Sequence, residues 1–239
     1  MKYPTKVASA LCCSALTVML ASCGDSNSNN TVQPPVQTPA PVVTFQYEIQ
    51  LTNLSQAQPI SPIAAVIQAT GTLWSIGQPA SVALERLAEG GNNSEILNAP
   101  NVIAKASAIG ALAAGATTKI TLETTQLGNR LSIVGMPVNT NDAFTGLTGY
   151  DLSTLPLGGA ESFDVIVYDA GTEANSESAA TVPGPAAGGQ GFNSERDDVN
   201  QVRMHSGVVS QDDGLSSSAL NESQRFDNPM LRVRINRTK

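Results

Sequence analysis

The stretch FQYEIQLT, residues 45–52, decides the fold. Phe45, Tyr47, Ile49 and Leu51 alternate with Gln46, Glu48, Gln50 and Thr52. Successive side chains of a strand leave opposite faces, so this period of two marks a strand with one face in a core and one in water. Working outward, residues 63–67 form an apolar run after Ser61-Pro62 that reads as a strand without a polar face. Further strands are expected over 117–124, with Ile120 and Leu122 inward, over 130–134 and over 162–168. The last is 231–235, where Leu231, Val233 and Ile235 share one face. One helix interrupts them. In QPASVALERLAEGG, Pro79 suits a first helical position, Ala80, Leu84, Leu87 and Ala88 make one stripe, and Gly90-Gly91 ends it. The Ala-rich stretch 102–116 reads equally well as a packed loop or a helix. Many short strands with one or two short helices make a mainly β chain, a β-sandwich.

The N-terminus reads differently. Lys2 and Lys6 precede an uncharged apolar run, residues 7–20, and then Leu20-Ala21-Ser22-Cys23. This is the layout of a secretory signal over residues 1–22, too short for a spanning helix, and its ending resembles a bacterial lipobox with Cys23 as the lipidated residue. Residues 23–43 are Asn, Ser, Thr, Gln and Pro with little to bury, a flexible tether rather than a fold. The folded domain is then 44–239. Cys12 and Cys13 leave with the signal, so no disulfide is available and the domain must rest on its core. Loss of Lys2 and Lys6 leaves 11 basic against 20 acidic residues, a charge of −9, which argues against nucleic acid as a partner.

Catalytic motifs are missing. His205 is the only histidine, which excludes a HExxH zinc site, and neither GxSxG nor SxxK occurs. PGPAAGGQG, residues 183–191, has no following Lys and reads as a turn-rich loop. The run Glu195-Arg196-Asp197-Asp198 reads as a solvated surface. Residues 170–200, rich in Gly, Pro, Ser and acids, are too long for an idle connection.

The acids offer more. In VYDAGTEANSE, residues 167–177, Asp169 would continue the inward face of Phe163, Val165 and Val167 at the end of a strand. Gly171 lets the chain turn back and bring Glu173 beside it. In NTNDAFTGL, Asp142 lies among Asn139 and Asn141 in a loop after the strand ending near Val134. Calcium takes six to eight oxygens at roughly 2.3–2.6 Å, so two such loops meeting at a sheet edge could hold it. Taken alone, Asp-Ala-Gly-Thr-Glu is a surface turn more often than a ligand loop.

QPISPIAAVIQ, WSIGQPASVALERLAEGG, MPVNTNDAFTGL, YDAGTEANSE, PGP and the terminal NPMLRVRI together resemble the spondin N-terminal domain family, over about residues 45–235. The resemblance implies a β-sandwich similar to C2 domains with a bound calcium ion. By the family's pattern its ligands include Asp142, Asp169 and Glu173, the last replacing an aspartate of animal members. Gln68 stands where a His is expected in bacterial relatives. The resemblance also implies a non-enzymatic, extracytoplasmic adhesion or partner-binding module, facing an envelope or matrix component. The other reading is a secreted hydrolase or polysaccharide-processing protein using Glu173, Glu177 and Glu195 in a cleft.

Gly24, rather than Asp, after Cys23 favours the outer membrane as the destination. Replacing Cys23 by Ala is expected to move the protein from the membrane fraction to the soluble one, as read by fractionation.

Overall fold

A computed structural model describes residues 41–239. The signal over 1–22, Cys23 and all but the last residues of the expected tether lie outside the described residues. Pro41–Lys239 form one unit, built of two antiparallel sheets. Among the described residues no helix is long and apolar enough to cross a membrane.

The first sheet is centred on the strand that the alternation announces. β1 (Phe45–Asn53) pairs on one side with β4 (Thr117–Thr124) and on the other with β10 (Leu231–Arg237), and β7 (Ala160–Val165) adds to the far edge of β10. Tyr47, Ile49 and Leu51 are buried, as are Ile120, Leu122, Val233 and Ile235 on the neighbouring strands. Burying side chains of this size contributes roughly 1.5–3 kcal/mol each.

The second sheet runs β3 (Val102–Ser107), β2 (Ala64–Gln68), β5 (Arg130–Gly135), β6 (Ala143–Asp151), β8 (Val167–Asp169), β9 (Arg203–Met204). One face, with Ala65, Ile67, Leu131 and Ile133, meets the first sheet in the main core. The other face carries Ala64, Val66, Val134 and Phe144 and is covered by Leu84, Leu87 and Ala88 of α1 (Val82–Gly90) together with Trp74. Burial on both faces explains why residues 63–67 show no polar alternation. It also gives α1 its position on the outer face of this sheet.

Four expectations change. The helix starts at Val82, not near Pro79: the Ser81 side chain accepts the Leu84 N–H at 3.2 Å and caps it. The Ala-rich stretch is neither helix nor simply loop, because its first part is edge strand β3, which pairs with β2 and turns Ala104 and Ala106 toward the core. Residues 162–168 are not one strand. The chain leaves the first sheet after Val165 and enters the second at Val167, and the Ile166 carbonyl between them accepts the Thr145 hydroxyl at 3.0 Å. Finally, β6 was not expected at all. Its sequence AFTGLTGYD carries two glycines and no period of two.

Gly146 of β6 shows why a glycine is needed there. A Cβ at this position would overlap the Ile133 carbonyl of β5, close to where the β5–β6 register shifts between Leu131 and Ile133. Gly146→Ala is expected to cost about 1–3 kcal/mol by overpacking, whereas Gly146-like replacement at exposed Gly188, with open space around it, costs only its backbone strain. Melting temperatures of the two variants check this.

Candidate metal centre

Asp142 is the last residue before β6, and Asp169 is the last of β8. These strands are antiparallel neighbours with Ala143 opposite Asp169, so both carboxylates arrive at one edge of the sheet. The Ala170 N–H donates to the Asp142 carbonyl at 3.1 Å and ties the two chain segments together. The chain then reverses at Gly171, whose φ of 71° and close approach to the Gln201 backbone admit no side chain. That reversal lays the next two residues over Asp142. Its Oδ2 accepts the Thr172 N–H at 2.7 Å, the Glu173 N–H at 3.1 Å and the Thr172 hydroxyl at 3.2 Å. Asp142 Oδ1 has no partner.

Asp169 is held differently. Its Oδ1 accepts the Gly171 N–H at 2.7 Å, and its Oδ2 accepts Asn175 Nδ2 at 2.6 Å and Arg203 Nη2 at 2.9 Å. Arg203, on β9, also pairs with Asp198. A carboxylate has about four lone-pair positions, so Asp169 retains one.

The sequence did not point to Glu89. On α1 it falls outside the stripe of Ala80, Leu84, Leu87 and Ala88, yet it is fully buried, as is Glu85 at 2% exposure, because the 190–200 segment packs over that side of the helix. Glu89 Oε2 accepts the Asn193 N–H at 2.8 Å, and its Oε1 has no partner. Glu173 Oε2 and Asn141 Oδ1 are likewise buried and unpartnered. Four oxygens, from Glu89, Asn141, Asp142 and Glu173, are thus buried with nothing donating to them among the described residues. Native structures rarely leave such groups.

The electrostatics agree with the geometry. Burial, with the charge of Asp169 behind it, pushes the Asp142 carboxyl up to about 7. Burial, then Glu89 and Asp142, pushes Glu173 up to about 8, and burial raises Glu89 too. Each carboxylate lacks a neutralising partner on its open oxygen. Among the described residues no group of three or more His, Cys, Asp or Glu side chains stands as a ready-made metal shell. Glu89 and Asp142 act electrostatically on Glu173, and Asp169 on Asp142; the donors are hard oxygens, without nitrogen or sulfur, of the kind that suits calcium or magnesium.

The run Glu195-Arg196-Asp197-Asp198 is not simply solvated. Arg196 pairs with buried Glu85 and donates to the Ala80 carbonyl at 3.0 Å, and Asp197 accepts the Ala174 N–H at 2.9 Å beside Glu173. Phe192 lies under Arg86, 4.1 Å from ring centre to guanidinium carbon. Residues 190–200 are therefore a strap across α1 and the Asp-Ala-Gly-Thr-Glu turn, with Glu195 and Asp197 exposed and Asp198 half-buried. A periodicity search misses this, since the contacts join residues about 110 apart.

The remaining acids named for a cleft do not gather. Glu173 and Glu177 are buried and Glu195 is exposed. Glu177 accepts the Val209 N–H at 3.2 Å, with burial raising it to about 7. None of the three lines the open pockets of about 470 and 440 Å3. His205 is buried against Phe226 and accepts the Gly207 N–H on Nδ1 at 2.9 Å, and burial lowers its basicity. Gln68 is buried in β2 and accepts the Ser132 hydroxyl at 3.5 Å. Compared with known proteins, the chain matches no family model and no curated sequence.

Asp142 and Glu173 keep in the folded state protons that the unfolded chain would release at lower pH. Folding therefore takes up protons, and stability falls as pH rises from about 4.5 toward about 8. In chelator, the melting temperature is expected to drop across that range. Glu173→Gln, which cannot ionise, is expected to flatten the drop and to melt above the parent at the alkaline end. A slope of the opposite sign would contradict the assigned burial of charge.

Proposed function

We propose that the sandwich is a calcium-binding module of the spondin N-terminal type, carried outside the cell on a lipid anchor at Cys23 and presenting its loops to an envelope or matrix component. The observation that carries the calcium reading is the set of unpartnered buried oxygens on Glu89, Asn141, Asp142 and Glu173. Asp142 Oδ1, Glu173 Oε2 and Glu89 Oε1 are the carboxylate donors, Asn141 Oδ1 a neutral one, and Asp169 supplies its remaining lone pair and its charge. Backbone carbonyls and water complete the shell. The ion supplies positive charge to open carboxylate oxygens that Arg203 and Arg196, held on Asp169 and Glu85, leave unpaired. Its effect is to fasten α1, the loop before β6 and the turn after β8 to one another.

The chemistry of the donors favours calcium over magnesium. They come from three separate segments and mix long and short side chains, which suits a flexible shell of six to eight oxygens better than a strict octahedron near 2.1 Å. The role as a partner-binding module rests on the resemblance to the spondin family and on the missing catalytic motifs, and the anchor rests on the lipobox-like ending at Cys23.

Calorimetric titration of chelator-treated protein tests the reading. Calcium is expected to bind and, at a hundredfold excess over its dissociation constant, to stabilise the fold by about 2.7 kcal/mol, with magnesium much weaker. Asp142→Asn, Glu173→Gln and Glu89→Gln are each expected to lose most of the calcium-dependent rise in melting temperature, and Glu195→Gln to keep it. Absence of calcium heat at millimolar concentration, or equal response of the Glu89 and Glu195 variants, would sink the assignment.

A further inference from the structure

The outward face of the first sheet holds an open pocket of about 470 Å3 lined by six polar or charged residues. Gln50 and Thr52 of β1, Ser162 and Asp164 of β7, and Arg232 and Arg234 of β10 form it. They sit in two rows across three strands: Gln50, Arg234 and Ser162 in one, Thr52, Arg232 and Asp164 in the other. Neighbouring strands lie about 4.8 Å apart, so each row sets three polar side chains within reach of one small molecule.

The two arginines differ. Arg232 gives Nε and Nη2 to Asp164 at 2.6 and 2.8 Å, a two-pronged pair that orients the guanidinium and leaves Nη1 without a bond among the described residues. Arg234 has neither a hydrogen bond nor an ion pair among the described residues. That is the exception in a chain with 20 acidic and 13 basic residues. Six other described arginines pair with carboxylates, and Arg237 bonds the Leu155 carbonyl. With Asp164 neutralised by Arg232, the pocket keeps one net positive charge on an otherwise acidic protein.

We propose that this pocket binds a small acidic saccharide through an oxyanion seated on Arg234 and the free edge of Arg232. A guanidinium fork matches the paired oxygens of a carboxylate, sulfate or phosphate. A single inorganic oxyanion leaves most of the volume empty. The rest of the lining is an amide and two hydroxyls, which donate and accept as sugar hydroxyls do, on side-chain stems that can lie against the C–H face of a sugar ring. The overall negative charge opposes an anionic bilayer as the partner. Asp164 is a positioning residue, acting through Arg232.

Glucuronate is the probe and glucose its uncharged match, with nuclear magnetic resonance of the arginine Nε–Hε groups as readout, in chelator so that the calcium site plays no part. Saturable shifts at Arg232 and Arg234 with glucuronate, and none with glucose, are the expected result. Arg234→Gln is expected to weaken binding about tenfold or more, as for loss of a charge-assisted hydrogen bond, with an unchanged melting temperature because the side chain is exposed. Arg225→Gln, on another face, is expected to bind like the parent. No saturable shift with glucuronate, equal shifts with glucose, or an Arg234→Gln variant that binds as well as the parent would each overturn the proposal. Inorganic sulfate binding as tightly as glucuronate would overturn its saccharide part. Phosphatidylglycerol vesicles bound through Arg234 in place of glucuronate would overturn it in favour of a bilayer.

Discussion

β1 is hydrogen-bonded along nearly its whole length on both sides, to β4 and to β10. Because β10 is the last strand and β1 the first, the core between the sheets closes only when the two ends of the domain have met. Tyr47, Ile49 and Leu51 lie against Val233 and Ile235 in that closure. Pairing between residues so far apart in the chain carries a large loop-closure entropy, which the burial of both inner sheet faces offsets. Everything placed at the sheet ends, including the acid cluster, inherits its geometry from this closure.

The acid cluster depends on one consequence of it. The chain crosses from the first sheet to the second between Val165 and Val167, and this short crossing sets Asp169 beside Asp142 at the edge of the second sheet. The reversal at Gly171 then adds Glu173, and α1, lying on the outer face of the same sheet, adds Glu89. Like charges brought together in a buried place raise one another's proton affinity. The fold tolerates this because Arg203 holds Asp169 and Arg196 holds Glu85 around the rim, with no cation among the described residues bonded to the open oxygens themselves. The strap over residues 190–200 closes on Glu85 and Glu89 from outside.

Much of the fold was legible. Strands with one wet face, such as β1, β4 and β10, carry their orientation in every second residue, and the structure places them as read. Strands buried on both faces, or shaped by a bulge, do not. β2 was found only as an apolar run, and β6 was missed because Gly146 answers to the Ile133 carbonyl rather than to any pattern of its own. The helix stripe of Ala80, Leu84, Leu87 and Ala88 was also legible, but not the burial of Glu85 and Glu89, which a separate segment imposes from outside.

The resemblance to the spondin N-terminal family brought Asp142, Asp169 and Glu173 forward as a set, and local sequence by itself determined that this chain is mainly β, where most strands run and that Gly171 turns the chain after Asp169. Those are matters of period, turn chemistry and composition, all of which act over a few residues. Only the tertiary structure decided that Asp169 is spoken for by Arg203 and Asn175, that Glu89 joins Asp142 and Glu173 with an open oxygen, and that Arg234 is left without a carboxylate. Which charge finds a partner depends on groups brought together from distant parts of the chain, and no local pattern records that.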